Sequence, residues 1–301
     1  MLLSGLRNFL LELSQAFIDG QPQRQPVGRV SMVRVVAAAV AVLMSAPLHA
    51  ADTVLLHAAG SLREALDATA RAYEPDAGVT VKTRYGASGL LKDEIAGGTD
   101  AHVFASANME HPRALAVAGK SGPVVLFARN QLCALVRPGL AVTPETLLER
   151  LLDPAVKLGT STPKADPSGD YAWELFRKAE TRKPGSFALL EQKALQLTGG
   201  LASPPAPPDR SIYGVLVAQE KADIFLTYCT NARAAKRDYP AQEIVALPDD
   251  LTVGADYGLT VMTAAPPAAY RFAMFILGEG QRILAKHGFN APTLSTEGAM
   301  K

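Results

Sequence analysis

The feature that most constrains the fold of this chain is a regular alternation of short apolar segments with amphipathic helical patterns. Segments 53–58, 79–85 and 102–107 are predicted to be buried strands, and the patterns at 62–73 and 89–96 between them have helical spacing. Strands that alternate with helices of this length form βαβ units, in which the strands lie parallel in one sheet. The first part of the chain is therefore predicted to have an α/β fold.

A second set of strands and helices follows the first along the chain. Its predicted strands are 124–128, 132–137, 157–160, 224–228, 243–247 and 259–262, and its predicted helices are 144–152, 169–180, 187–197, 212–220, 267–277 and 280–287. The polar segment 129–131 predicts a turn between the first two strands, and the four prolines within 199–209 predict a loop. Two α/β sets of this kind predict two lobes.

The amino-terminal segment differs from the rest of the chain and is predicted to be a signal peptide covering 1–50. An apolar stretch at 35–46 follows Arg29 and Arg34 and gives way to small residues before Ala50, a pattern typical of secretory signals. The stretch is too short to span a bilayer comfortably. We expect cleavage after Ala50, or one residue later, and a mature protein that is exported to the periplasm.

The start of that signal is open to two interpretations. Met32 precedes a signal of ordinary length at 32–50, so residues 1–31 are either an over-extended start or carry an amphipathic helix at 2–18 that lies on a membrane. The amino terminus of the mature protein, measured by intact mass, distinguishes them.

Composition excludes several classes of protein. The 301 residues include 30 basic and 29 acidic side chains, and the formal charge of +1 argues against a nucleic-acid partner, which needs a clustered positive field. Two cysteines are too few for a disulfide-rich scaffold, and the five histidines show no metal-ligand spacing. No bare metal site is predicted.

Serine lies near the start of the helix at four predicted strand-to-helix junctions, namely at Ser61, Ser88, Ser168 and Ser211. Each has a structural explanation because serine is an ordinary N-cap, and Ser61 with Glu64 has the spacing of a capping box. In open α/β sheets, ligands bind at such junctions, where helix amides and hydroxyls donate hydrogen bonds to anions. Because neutral donors favour a fully ionised oxyanion, the junctions predict a site for one.

Six segments of the chain together resemble the periplasmic molybdate-binding proteins of ABC transporters. They are 58–62 (AAGSL), 85–89 (YGASG), 103–108 (VFASAN), 166–172 (DPSGDYA), 223–228 (DIFLTY) and 283–289 (ILAKHGF), and the resemblance covers about 53–290. It implies a two-lobed periplasmic binding protein fold, each lobe a mostly parallel sheet flanked by helices, with a ligand cleft between the lobes. Lobe I is then 52–127 with 257–301, and lobe II is 128–256.

The resemblance also implies a function and a ligand set. The protein would capture a tetrahedral oxyanion, molybdate or tungstate, without a cofactor, and deliver it as a monomer to an ABC permease in the inner membrane. The implied ligands are the hydroxyls of Ser61 and Ser88, the backbone amides of Ser168 and Ile212, and the phenol of Tyr228.

Other ligands stay open within this fold. A related branch holds the metal octahedrally with two carboxylates, and Asp166 is placed to supply one, although Thr227 stands where that branch has glutamate. Sulfate, a phosphate-like anion or ferric ion is also possible, but ferric sites favour adjacent tyrosines and Tyr213 and Tyr228 are separated. Tyr228 also has the pattern of an ordinary core tyrosine.

The two cysteines, Cys133 and Cys229, are either bonded or free. A single pair in an exported protein is a candidate disulfide, and in the fold that the resemblance implies both lie near the crossing between the lobes. A reactive cysteine is disfavoured because no histidine is near either one in sequence.

An enzyme is the competing class. A serine hydrolase of the nucleophile-elbow type needs G-x-S-x-G, whereas Ser88 lies in the sequence GASGL, and no Ser/His/Asp set follows from the spacing. We therefore predict no enzymatic activity. A periplasmic sensor or chaperone that uses the same fold is a third reading.

Overall fold

The computed structural model describes residues 52–207 and 209–292. The predicted signal peptide and the last nine residues of the predicted lobe I lie outside the described residues. Across the described ranges, no helix combines the length and the apolar character needed to cross a bilayer.

Nine strands and ten α-helices make up the described part of the chain. The strands are β1 (Asp52–Ala59), β2 (Val79–Gly86), β3 (Val103–Ser106), β4 (Val125–Val136), β5 (Leu158–Ser161), β6 (Leu195–Thr198), β7 (Ile224–Tyr228), β8 (Glu243–Ala246) and β9 (Gly254–Val261). The helices are α1 (Arg63–Ala77), α2 (Ser88–Ala96), α3 (Glu110–Val117), α4 (Leu147–Leu152), α5 (Pro167–Arg182), α6 (Ser186–Lys193), α7 (Ile212–Ala218), α8 (Cys229–Asp238), α9 (Pro267–Leu277) and α10 (Gly280–Lys286). Two short 3-10 helices, Gly60–Leu62 and Asp249–Leu251, precede α1 and β9.

The strands form two groups that share β4. Their order is β2-β1-β3-β9-β4-β7-β5-β6, with β8 also paired to β4. The first part of β4 pairs with β9, and its last part, from Leu132 to Val136, pairs with β7 and β8. Below, the first lobe means β1–β3 and β9 with α1–α3, α9 and α10, and the second lobe means β5–β8 with α4–α8. This is the predicted two-lobed α/β fold.

Parallel pairing dominates inside each lobe, as the βαβ pattern predicts. β1 lies parallel to both β2 and β3, and β5 lies parallel to both β6 and β7. The antiparallel partners are β9 and β4, the strands that connect the lobes. Because helices cover the parallel strands, β3, β5 and β7 are buried along their whole length.

The core of the first lobe follows from the apolar face of α1. Ala65, Leu66 and Thr69 are buried as their helical spacing predicts. The ring of Tyr73, one turn further on, packs against Phe272 and Phe275 of α9 at centroid distances of 5.1 Å. This contact fixes the carboxyl-terminal helices against the first strand–helix unit, so the two ends of the described chain belong to one lobe.

Two predicted boundaries are wrong. The predicted turn at 129–131 does not exist: β4 runs unbroken through it, because Asn130 pairs with Ala255 in the ladder and its side chain finds buried partners. The predicted helix at 187–197 ends at Lys193, and its last residues form the edge strand β6. Helix α8, which follows Tyr228 directly, was not predicted. It has few large apolar residues, because the face that it buries is narrow and includes the small side chains of Ala232 and Ala235.

A disulfide joins Cys133 of β4 to Cys229, the first residue of α8, with a Cα–Cα distance of 4.9 Å. Both cysteines belong to the second lobe's core, and the bridge closes a chain segment of 96 residues. It holds the start of α8 against the strand that connects the two lobes, directly beside Tyr228.

Candidate functional site

A cavity of about 370 Å³ lies between the two lobes. Its first-lobe wall comes from the carboxyl ends of β1, β2 and β3 and includes Ser61, Tyr85 and Ala107. Its second-lobe wall comes from Asp166, the loop that follows β6, the start of α7 and Tyr228. The cavity therefore occupies the strand-to-helix junctions where a ligand was expected.

Three of the five predicted ligand residues lie on this wall, namely Ser61, Ile212 and Tyr228. The other two, Ser88 and Ser168, are buried behind it, with relative exposures of 1% and 0%. How each of these residues is held decides what it can offer to a ligand.

Ser61 lies in the 3-10 helix between β1 and α1. Its Oγ is 3.0 Å from the phenol oxygen of Tyr257 on β9. The predicted capping box is absent, since no side chain caps α1 and Glu64 instead pairs with Arg237 of α8, whose Nη2 lies 2.6 Å from Glu64 Oε1. The Glu64 carboxylate therefore bonds to the guanidinium of Arg237, on the other lobe, and not to the start of its own helix.

Ser88 is the first residue of α2 and lies directly behind the cavity wall. Its Oγ accepts a hydrogen bond of 3.0 Å from the amide of Ala107, which is itself on the wall. The carbonyl of Ala107 accepts from the phenols of Tyr171, at 3.4 Å, and Tyr228, at 3.5 Å. Because the Ser88 oxygen already accepts a bond, its hydroxyl proton is left for another acceptor.

Ser168 is not brought to the cavity. Asp166 is the N-cap of α5, and its carboxylate accepts the Ser168 amide at 3.1 Å, with Pro167 at the first helical position as predicted. The Ser168 hydroxyl is buried and has no hydrogen-bond partner among the described residues. The amide that was expected to bind an anion is therefore used within the helix cap.

Asp166 itself lies on the cavity wall, and burial raises the pKa of its carboxyl to about 6. Hydrogen bonds from the Ser168 amide and the Ser161 side chain lower that pKa but do not offset the desolvation. Across the cavity, Arg63 lies with its guanidinium carbon 4.7 Å from the centre of the Tyr85 ring. The wall thus carries one acid and one base that the predicted ligand set did not include, although Arg63 is two residues from Ser61.

The start of α7 presents Ile212 and Tyr213 to the cavity. Ser211 caps this helix, as its position predicts, by accepting the Gly214 amide at 3.5 Å. The Tyr213 ring packs edge-on against Phe225 at 5.1 Å, and burial raises the pKa of its phenol. Burial likewise raises the pKa of Tyr228, so both phenols stay protonated and remain donors at neutral pH.

The two lobes touch at the edge of the cavity. The amide of Gly89 on α2 donates a hydrogen bond of 2.8 Å to the carbonyl of Ala165 in the second lobe. A Cβ at position 89 would meet the carbonyl oxygens of Lys164 and Ala165, the latter at 2.7 Å. Glycine is therefore required for this approach. Together with the Tyr228–Ala107 bond, it closes the lobes around the cavity.

Within the described ranges, no cluster of three or more His, Cys, Asp or Glu residues has the geometry to hold a metal ion. The carboxyl of Asp166 has hydroxyl and phenol neighbours and no second carboxylate among the cavity-lining residues.

Comparison with known proteins agrees with this architecture. Residues 54–290 match the family described as bacterial extracellular solute-binding protein. The chain is 35% identical over 235 residues to an uncharacterized protein of Pasteurella multocida, an alignment that covers 77% of this chain and 96% of that protein. The two-lobed fold with a cavity between the lobes agrees with that family description. This chain belongs to the bacterial extracellular solute-binding protein family.

Solved structures share the fold at low sequence identity. The periplasmic molybdate-binding protein of Azotobacter vinelandii is 15% identical, with a TM-score of 0.63, over 80% of this chain and 100% of that one. The sulfate-binding protein SubI of Mycobacterium tuberculosis is 20% identical, with a TM-score of 0.65, over 80% and 87%. Iron-bound HitA of Pseudomonas aeruginosa is 17% identical, with a TM-score of 0.59, over 83% and 90%. These similarities show the fold.

Proposed function

We propose that this protein is a periplasmic binding protein without enzymatic activity. It captures a small tetrahedral oxyanion, with molybdate or tungstate as the first candidates, and delivers it to the permease of an ABC transporter. One observation carries the proposal: a cavity between the lobes is lined by hydroxyl, phenol and backbone groups from both of them, Ser61 from the first and Tyr228 with the start of α7 from the second.

Hydrogen-bond donors without positive charge suit a dianion that has left water. An oxyanion has only acceptor oxygens when fully ionised, so each hydroxyl or amide that faces it makes a charge-assisted bond. A protonated ligand would bring a hydroxyl with few acceptors to receive it, and an unpaired buried donor costs about 1–3 kcal/mol. Two charged side chains also line the cavity: Arg63 is a positively charged donor, and the Asp166 carboxyl can accept such a proton.

The fold supports capture by lobe closure. We retain the sequence-based division into 52–127 with 257–301 and 128–256, which places the connections in β4 and β9. A ligand that contacts both lobes stabilises the closed arrangement relative to the open one, and the difference in contacts supplies the free energy for closing.

Relatives with this fold are named for molybdate, sulfate and iron, so other ligands are arms of the test. Asp166, Tyr213 and Tyr228 lie on one wall, so ferric ion is tested as well, although the described residues include no cluster of three His, Cys, Asp or Glu that could hold it.

The test is thermal unfolding of the mature protein with molybdate, tungstate, sulfate, phosphate or ferric ion. A ligand at one hundred times its Kd adds about 2.7 kcal/mol to the free energy of unfolding. For a chain of this size that raises the midpoint by about 5–10 °C. Molybdate and tungstate are expected to give the largest shifts. The proposal is contradicted if only iron raises the midpoint, or if none of the anions does.

Single serine variants test the site. Ser61→Ala and Ser88→Ala are each expected to weaken molybdate binding by about 1–3 kcal/mol in calorimetry, because an anion oxygen loses a buried donor. Ser186→Ala is the matched control, since Ser186 is also buried at a helix start and its hydroxyl is unpartnered among the described residues. Unchanged affinity in both test variants would refute the placement of the anion.

A further inference from the structure

The hydroxyl of Ser61 is held by a residue that the sequence did not mark. Tyr257 of β9 is fully buried, and its ring is enclosed by Phe127, Tyr228 and Phe289 at centroid distances of 6.4, 5.6 and 5.4 Å. Its phenol oxygen lies 3.0 Å from Ser61 Oγ. Geometry alone allows either oxygen to be the donor in this bond.

A second contact of Tyr257 removes that ambiguity. Asn130 of β4 points its Nδ2 at the Tyr257 oxygen at 3.4 Å and at Thr230 Oγ1 at 2.8 Å. The other end of the same amide, Oδ1, accepts the Gln131 backbone amide at 2.9 Å. This last bond fixes the orientation of the side-chain amide, so the group that faces Tyr257 is the NH₂ and not the carbonyl.

The direction of the whole chain of bonds follows. Asn130 Nδ2 can only donate, so the Tyr257 oxygen accepts from it and must place its own proton elsewhere. A fully buried phenol reaches no water, and Ser61 Oγ is the acceptor within 3.0 Å. Tyr257 therefore donates to Ser61. With its oxygen accepting, Ser61 directs its own proton away from Tyr257, toward the cavity that it lines.

We infer that Tyr257 and Asn130 are positioning residues that fix Ser61 as a donor to the bound anion. This rests on the proposed function, because it assumes that an anion binds at Ser61. The first lobe uses the same device twice, since the Ala107 amide fills the acceptor role of Ser88 in the same way. The donor direction of both serines is thus set before a ligand arrives, and no hydroxyl has to reorient on binding.

The chain of hydrogen bonds from Asn130 through Tyr257 to Ser61 also connects the site to the strands between the lobes. Asn130 and Tyr257 lie on the paired strands β4 and β9, and Thr230, the second acceptor of Asn130, lies on α8 of the second lobe. Asn130, which donates to Tyr257, therefore also donates to a residue of the other lobe. Its bonds are complete in the arrangement of the lobes that encloses the cavity.

A double-mutant cycle on molybdate affinity tests this. Ser61→Ala is expected to weaken binding by about five- to 150-fold, and Tyr257→Phe and Asn130→Ala by about three- to tenfold each. Because Tyr257 acts only through Ser61, the Ser61→Ala/Tyr257→Phe double variant should bind within about twofold of Ser61→Ala alone. A residue that merely packs against the site would give additive losses, and additivity overturns the inference.

Tyr73→Phe is the matched control, because Tyr73 is a buried first-lobe phenol, distant from the cavity wall, whose hydroxyl has no hydrogen-bond partner among the described residues. It should bind molybdate like the unmodified protein. Each variant is first melted without ligand to show that it folds. If no anion binds the unmodified protein, the proposed function fails, and the same cycle is measured on urea midpoints without ligand. Coupling there supports the bond between Ser61 and Tyr257, and additive effects overturn it.

Discussion

The two lobes around the cavity use serine in opposite ways. In the first lobe, Ser61 and Ser88 have tertiary hydrogen-bond partners, the Tyr257 phenol and the Ala107 amide. In the second lobe, Ser211 caps its own helix and the Ser168 amide is taken by the cap of α5. The same residue at the same kind of junction is thus a candidate ligand in one lobe and a structural cap in the other.

What separates the two cases is the source of the hydrogen-bond partner. A cap is satisfied by neighbours two or three residues away, so it exists as soon as the helix forms. The first-lobe serines depend on Tyr257 and Ala107, which are 196 and 19 residues distant in sequence. A long-range partner can bond to the hydroxyl oxygen and still leave the hydroxyl proton available to donate elsewhere.

The walls also differ in covalent support, and this gives the largest predicted effect. The second lobe contains the Cys133–Cys229 bridge, which closes a segment of 96 residues. Replacing both cysteines by alanine should lower the free energy of unfolding by about 4–5 kcal/mol, measured by urea denaturation, through the entropy that the unfolded chain regains.

Unmodified protein kept in reductant is the control for that variant and should match it. If the loss stays below about 1 kcal/mol, the bridge contributes little and the second lobe is held by packing alone.

The contact between the walls gives the next effect. Gly89→Ala places a methyl group against the carbonyls of Lys164 and Ala165, so the lobes must separate by the thickness of that group. We expect molybdate affinity to fall about tenfold and stability to fall by about 1–3 kcal/mol. Gly254→Ala, where the added carbon meets no atom within 4 Å, is the matched control and should change neither. Equal behaviour of the two variants would show that the lobes do not rely on this approach.

The last effect concerns pH, on which two buried groups, His57 of the first lobe and Asp166 of the second, act with opposite sign. Burial lowers the pKa of His57 in β1 below its ordinary value, so this histidine costs stability as the pH falls through about 6.5. Burial raises the pKa of Asp166 to about 6, so this carboxyl costs stability as the pH rises from about 4 to 6.

Urea midpoints between pH 4.5 and 7.5 separate these contributions. His57→Leu should gain stability relative to the unmodified protein toward pH 5, and Asp166→Asn should gain stability toward pH 7. Asparagine keeps an oxygen that can cap the Ser168 amide, so the α5 start should stay intact. Parallel pH curves for a variant and the unmodified protein would contradict the assignment for that residue.

The alternation of strands and helices could be predicted because it is written in local periodicity, and the cavity lies at the junctions that this alternation defines. Ser61 followed from those junctions, whereas Ile212 and Tyr228 were implied by the resemblance to molybdate-binding proteins; all three lie on the cavity wall. Features that depend on distant contacts were missed. Asn130 looked like a turn residue until Thr230 and Tyr257 gave its amide buried partners.

Asp166 and Ser168 show the other limit. Sequence spacing indicates a helix start at Pro167, but it does not say whether the amide of Ser168 faces a ligand or its own cap. That choice is made by the direction of the Asp166 side chain, a rotamer that no pattern of residue types encodes. Tyr257 carried no signal at all, because a tyrosine in a buried strand has the pattern of ordinary core.

The passage of β4 through both strand groups, with β9 paired beside it, has a consequence for how the two lobes can move relative to each other. Hydrogen bonds between β4 and β9 hold the two strands in register, which a free linker would not do. Lobes joined in this way are expected to keep the same mutual register when they move. The entropy lost in orienting the lobes on each binding event is then small, and weak individual contacts suffice to hold a small solute.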